Sequence, residues 1–133
     1  MSYADTLNAG WNSRDPDTIA GLYAEDGVRH MFAHEETRLE GRKQIAEWVA
    51  LAMHAWPDCV LTTRNVVEGD GWAVVEWTFS GTQQNDFGPI PGKGQATALK
   101  GVSSVNLDSD GLMTEERVYW DGVGLMAGGG LLG

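Results

Sequence analysis

The chain has 133 residues and carries 19 acids against 9 bases, a net charge of −10. That length is most simply one domain around one core. The excess of acid argues against binding nucleic acid and against docking on an anionic membrane, because either needs a basic patch and none is visible.

Ser2 to about Asn12 reads as a helix. Ser2 can cap it, Asp5 lies in the capping-box position, and Tyr3, Leu7 and Trp11 recur every four residues as an apolar stripe. Asp15-Pro16-Asp17 starts a second helix with an N-cap, a proline at the first helical position and an acid in the first turn. Ile19, Leu22 and Tyr23 mark its buried face, and Asp26-Gly27 ends it. Val28 to Phe32 is a short strand candidate, followed by a polar loop with His34, Glu35 and Glu36. Two histidines at this spacing are too few for a metal site. His30 reads either as hydrogen-bonded or solvated, or as a proton-transfer group lining a pocket. Gly41 introduces the clearest helix: Ile45, Trp48, Val49, Ala52 and Met53 form one broad apolar face, with Lys43, Glu47 and His54 opposite. Trp56-Pro57 stops it.

From Asp58 the period changes to two. Cys59 to Glu68 and Trp72 to Thr82 are paired strands joined at Gly69-Asp70-Gly71. Ala73, Val75, Trp77 and Phe79 share a core-like face of the second. Gln83 to Gly94 is a loop rich in glycine and proline that carries Phe87. Ala96 to Leu107 is a third long strand, and Leu112 to Asp121 pairs back onto it. Gly122 to Gly133 reads as a flexible glycine-rich tail. The lone Cys59 excludes an internal disulfide and reads as a small core residue. No signal peptide and no membrane-spanning apolar run is visible, so the chain reads as cytoplasmic.

The order α-α-β-α-β-β-β-β predicts an α+β fold, a curved antiparallel sheet packed by three helices. Such a cone can hold a ligand in its mouth. The last strand, Glu115-Glu116-Arg117-Val118-Tyr119-Trp120-Asp121, ends in a carboxylate beside two aromatics. Asp121 reads either as a solvated turn residue or as an acid/base whose environment perturbs it. Alternation puts Glu115, Arg117, Tyr119 and Asp121 on one face, and Glu116, Val118 and Trp120 on the other. Binary pattern alone turns Val118 and Trp120 inward.

The chain resembles the SnoaL-like polyketide cyclases, within the nuclear-transport-factor-2-like fold shared with ketosteroid isomerases. The resemblance rests on Trp11-Asn12-Ser13-Arg14-Asp15-Pro16-Asp17, Leu22-Tyr23-Ala24-Glu25-Asp26 and Gly41-Arg42-Lys43-Gln44-Ile45. It continues through Gly81-Thr82, Gly88-Pro89-Ile90-Pro91-Gly92-Lys93-Gly94 and Tyr119-Trp120-Asp121. It implies an enzyme that closes a ring by an intramolecular aldol reaction on a hydrophobic carbonyl substrate, without cofactor or metal. A strand-end aspartate is the general acid/base, by position Asp121. Candidate pocket residues are Trp11, Tyr23, His30, Trp48, Trp77, Phe87 and Tyr119. This orientation leaves Val118 and Trp120 on the convex face, where a second subunit would cover them, so a homodimer is expected. The chain departs from the family at Gln83, where a histidine is frequent, and at its Gly130-Leu131-Leu132-Gly133 ending.

Other readings stay open. A binding module would hold an apolar ligand without turnover. A ketosteroid-isomerase-like isomerase or dehydratase would need Tyr23, Asp26 and Asp121 to converge. An epoxide hydrolase would need an Asp-Arg-Asp set, and Ala96 to Leu107 supplies neither acid nor arginine.

Overall fold

The computed structural model describes residues 2–32 and 36–128. His34 and the last glycine-rich residues, 129–133, lie outside that range, as does the tail's expected flexibility there. Helix α1 (Tyr3–Asn12) starts where Ser2 Oγ accepts the Asp5 N–H at 3.2 Å, and it buries Leu7 and Trp11. Helix α2 (Pro16–Ala20) starts at Asp15, whose side chain accepts the Asp17 N–H. It stops before Leu22 and Tyr23, earlier than their apolar character suggested. Gly21 caps it, and Leu22 O then accepts the Met113 N–H at 2.9 Å. A strand pairing outcompetes two more helical residues.

Strand β1 (Tyr23–Phe32) therefore begins five residues before the expected Val28. Its Asp26-Gly27, which reads as a helix stop, is part of an irregularity inside the strand. A side chain at Gly27 would meet the backbone oxygen of Met113 at 2.7 Å, so this close approach requires glycine. Strand β2 (Glu36–Glu40) replaces part of the expected polar loop and pairs antiparallel with β1. Its exposed, charged residues suit an edge strand. Helix α3 (Gly41–Ala55) follows, burying Ile45, Val49, Ala52 and Ala55. Strands β3 (Val60–Gly69), β4 (Trp72–Gln83), β5 (Gln95–Leu107) and β6 (Met113–Trp120) form a meander.

The resulting six-stranded sheet runs β2-β1-β6-β5-β4-β3. The fold is α+β, as the element order predicts, but the sheet is mixed rather than wholly antiparallel: β1 and β6 are parallel. On its inner face lie Met31, Leu61, Ala73, Val75, Phe79, Val105 and Val118, all buried. Leu7, Trp11, Ile45 and Val49 from the helices join the same core. Helix α1 also closes one sheet edge. The Asn12 amide donates to Leu61 O at 3.0 Å and accepts the Leu61 N–H at 2.9 Å, so one side chain takes the place of a neighbouring strand. A short helix α4 (Gly122–Gly128) stands where a flexible tail was expected to begin, and Leu125 is buried in the core. No helix among the described residues is long and apolar enough to cross a membrane.

Candidate functional site

A cavity of about 60 Å³ lies between the helices and the inner face of the sheet. Its walls are mostly apolar, and many are aromatic: Trp11 from α1, Trp48 from α3, Trp56, Trp77 and Phe79 from β4, Phe87 from the β4–β5 loop and Trp120 from β6. Three polar residues also reach it, Arg29, Ser103 and Glu116. Glu116 is its acidic residue among those described.

Register brings the charges together. Arg29 on β1 stands directly opposite Glu116 on β6, and Arg29 Nη1 donates to Glu116 Oε1 at 2.7 Å. Tyr23 is six residues from Arg29, roughly 20 Å along a regular strand at ~3.3 Å per residue. The irregularity removes that separation. Between paired positions β1 advances from Tyr23 to Val28 while β6 advances only from Met113 to Glu115. The Tyr23 hydroxyl consequently accepts from Arg29 Nη1 at 2.9 Å and donates to Glu116 Oε1. Above the guanidinium lie two indoles, with Trp48 at 4.9 Å and Trp11 at 5.8 Å from ring centroid to Cζ. A cation placed this way is satisfied by acceptors in its plane and by π faces above it.

Burial pushes the Tyr23 hydroxyl well above its usual range. The Arg29 charge opposes that shift and the Glu116 carboxylate adds to it, so Tyr23 stays a donor. Burial also disfavours the charge on Arg29, but Tyr23 and Glu116 outweigh it and hold the guanidinium protonated. Among the described residues the buried Arg29 Nε donor has no hydrogen-bond partner. Both hydrogen bonds to Glu116 converge on Oε1; Oε2 takes none among the described residues.

Of the residues singled out from sequence, Trp11, Trp48, Trp77 and Phe87 line the cavity together. Tyr23 lies behind it in the charged cluster. The others point elsewhere. Asp121 is exposed, and its Oδ1 accepts the Gly124 N–H at 2.7 Å, which caps α4. Tyr119 is 49% exposed and stacks on Phe32 with centroids 4.8 Å apart. His30 sits on the same outer face, with Nδ1 2.9 Å from Glu36 and Nε2 3.0 Å from Glu115. Tyr23, Asp26 and Asp121 do not converge, since Tyr23 is buried and both aspartates are exposed.

The face of β6 is thus the one that binary pattern chose. Val118 and Trp120 turn inward and line the cavity with Glu116. An acid can share that face because Arg29 neutralises it. Since Val118 and Trp120 are covered within one chain, the reason for expecting a dimer through them disappears. Gln83, where the resemblance led to the expectation of a histidine, is fully buried and donates to Asn85 O and Ile90 O. It fastens the loop that carries Phe87.

Arg29 and Glu116 escaped the sequence reading. The available signal was Glu116 in phase with Val118 and Trp120: an acid on the apolar face of a strand calls for a buried cation. Among the described residues no group of three or more His, Cys, Asp or Glu side chains could hold a metal ion.

A family model described as SnoaL-like polyketide cyclase matches residues 2–128. No curated protein matches the sequence. Solved structures share the fold. One is a hypothetical protein with a ketosteroid isomerase-like fold from Catenulispora acidiphila, in complex with trimethylamine: 19% identity, TM-score 0.80, covering 96% of this chain and 91% of that one. Another is a candidate SnoaL-like polyketide cyclase from Jannaschia sp., with 22% identity, TM-score 0.78 and coverage of 96% and 94%. A third is IdmH, a candidate polyketide cyclase from Streptomyces antibioticus, with 22% identity, TM-score 0.76 and coverage of 95% and 94%.

Proposed function

Because this chain belongs to the SnoaL-like polyketide cyclase family, we propose that its cavity takes a small, largely apolar carbonyl compound and that Glu116 is the general acid/base. The observation that carries this reading is the position of Glu116, an acid on the wall of a largely apolar cavity. The role that resemblance gave to Asp121 passes to it. Oε1 is held by Tyr23 and Arg29, and Oε2 is the oxygen assigned to the substrate.

The chemistry follows from the charges. In this reading the Glu116 carboxylate, 2.7 Å from Arg29 Nη1, takes a proton from a carbon flanked by carbonyls. The electron pair moves onto a carbonyl oxygen and the enolate carbon attacks a second carbonyl of the same molecule. Glu116 then returns the proton to the new alkoxide. No cofactor is needed, and the aromatic walls supply the folded geometry that ring closure requires. The resting cavity of about 60 Å³ has room for roughly four waters at ~15 Å³ each in the same measure. A longer substrate enters only if the wall moves, and Phe87, carried on a loop, is the side chain placed to do so.

The test uses pentane-2,4-dione, a small carbon acid, and follows exchange of its central hydrogens in D2O. Glu116→Gln keeps the shape and removes the base, so exchange should fall by ~10²–10⁴-fold. Asp121→Asn should leave it unchanged. Undiminished exchange in folded Glu116→Gln would overturn the reading and favour a binding module, in which Glu116 serves only to neutralise Arg29.

A further inference from the structure

We infer that Ser103 is a hydrogen-bond donor for a ligand carbonyl, and that the cavity is built for a carbon acid whose carbonyl rests on Ser103 while its C–H meets Glu116. The inference rests on the reading of Glu116 as the base. Ser103 is buried on β5 and lines the cavity. Its Oγ lies 3.0 Å from Trp77 Nε1. An indole N–H can only donate, so the hydroxyl must accept there, and its own proton has to point elsewhere. Ser103 donates to no group among the described residues. A buried hydroxyl proton beside a cavity is a donor waiting for an acceptor.

Register sets the spacing. Ser103 is opposite Val118, and Glu116 is opposite Val105, so Ser103 and Glu116 are diagonal neighbours on one face. Diagonal neighbours are about 7–8 Å apart, less between side chains that lean together. A carbonyl oxygen and the carbon next to it fit between a hydroxyl and a carboxylate at that spacing. The donor's direction is itself held. The Trp77 indole lies over Gly101, its partner across the β4–β5 pair, where a Cβ would collide with the ring. Glycine at 101 thus permits the indole position that turns the Ser103 proton into the cavity. When Glu116 removes the proton, negative charge gathers on the carbonyl oxygen, and the Ser103 bond strengthens as it does.

Infrared spectra of ¹³C-carbonyl pentane-2,4-dione bound to the protein test this beside the exchange assay. The wild type should bind the probe saturably and shift one carbonyl band to lower wavenumber. Ser103→Ala combined with Trp77→Phe, which strands no buried indole N–H, should abolish the shift and slow exchange about tenfold. Trp77→Phe alone keeps the hydroxyl but frees its direction, so it should shrink the shift without abolishing it. Glu116→Gln should lose exchange and keep the shift. A shift that survives the double variant, or one that Trp77→Phe alone abolishes as fully as the double variant does, overturns the assignment of Ser103 while leaving Glu116 standing. Exchange that survives Glu116→Gln overturns the base while leaving the Ser103 bond standing. A wild type that does not bind the probe overturns both.

Discussion

Arg29 and Glu116 face each other across the parallel β1–β6 pair, with Nη1 2.7 Å from Oε1 and both side chains almost wholly buried. Neither charge could sit there alone. Removing one partner of a buried pair typically costs ~3–5 kcal/mol, because the other is left uncompensated. Arg29→Met should lose about that much in urea unfolding. Arg29→Met with Glu116→Met should recover most of the loss. An additive double variant would show that the two charges do not depend on each other.

Tyr23 predicts an alkaline limit to stability. Its folded pKa lies above the unfolded value of about 10, chiefly through burial. The stability this contributes is fully present below about pH 10 and is lost as pH rises further, because the unfolded chain releases the proton more readily. Tyrosinate absorbance should show Tyr23 titrating only with global unfolding. Tyr23→Phe should remove that part of the alkaline transition.

Gly101 should resist replacement. Gly101→Val puts a branched side chain against the Trp77 indole. Overpacking of this kind costs ~1–3 kcal/mol. The displaced indole should also change the tryptophan emission of the folded protein. Unchanged stability and emission would mean that Trp77 has another place to go.

Asn12 should protect the β3 edge. Asn12→Ala removes both hydrogen bonds to Leu61, at ~0.5–1.5 kcal/mol each. Amide exchange at Leu61 should accelerate more than at the middle strands. Asn12→Asp keeps the acceptor for the Leu61 N–H and should lose less.

Asp121 should matter locally. Asp121→Ala removes the side chain that caps α4, for a cost of ~0.5–2 kcal/mol. Exchange of the diketone should stay at the wild-type rate. A large fall in that rate would return Asp121 to the site.

Much of the fold was legible because it is local. Ser2 and Asp15 cap their helices through hydrogen bonds spanning two or three residues. Ala73, Val75, Trp77 and Phe79 needed only the period of a strand, and the apolar stripe of α3 only the period of a helix. The same periods carry Trp11, Trp48 and Trp77, which line the cavity. What they could not reach depended on partners far along the chain. Strand β2 has no apolar alternation and exists because β1 offers it an edge to pair with. Helix α2 gives up Leu22 and Tyr23 because Met113 on a distant strand claims the backbone there. Glu116 looked like one more acid in a chain rich in them. Whether such a charge can be buried depends on whether a cation meets it, and sequence spacing says nothing about that. The β1–β6 register, offset by the irregularity after Tyr23, places Arg29 opposite Glu116 and Tyr23 against both. Helix and strand periods come from near-neighbour geometry, so sequence carried them. The free energy of a buried charge depends on what surrounds it, so only the tertiary structure could decide which acid faces the cavity.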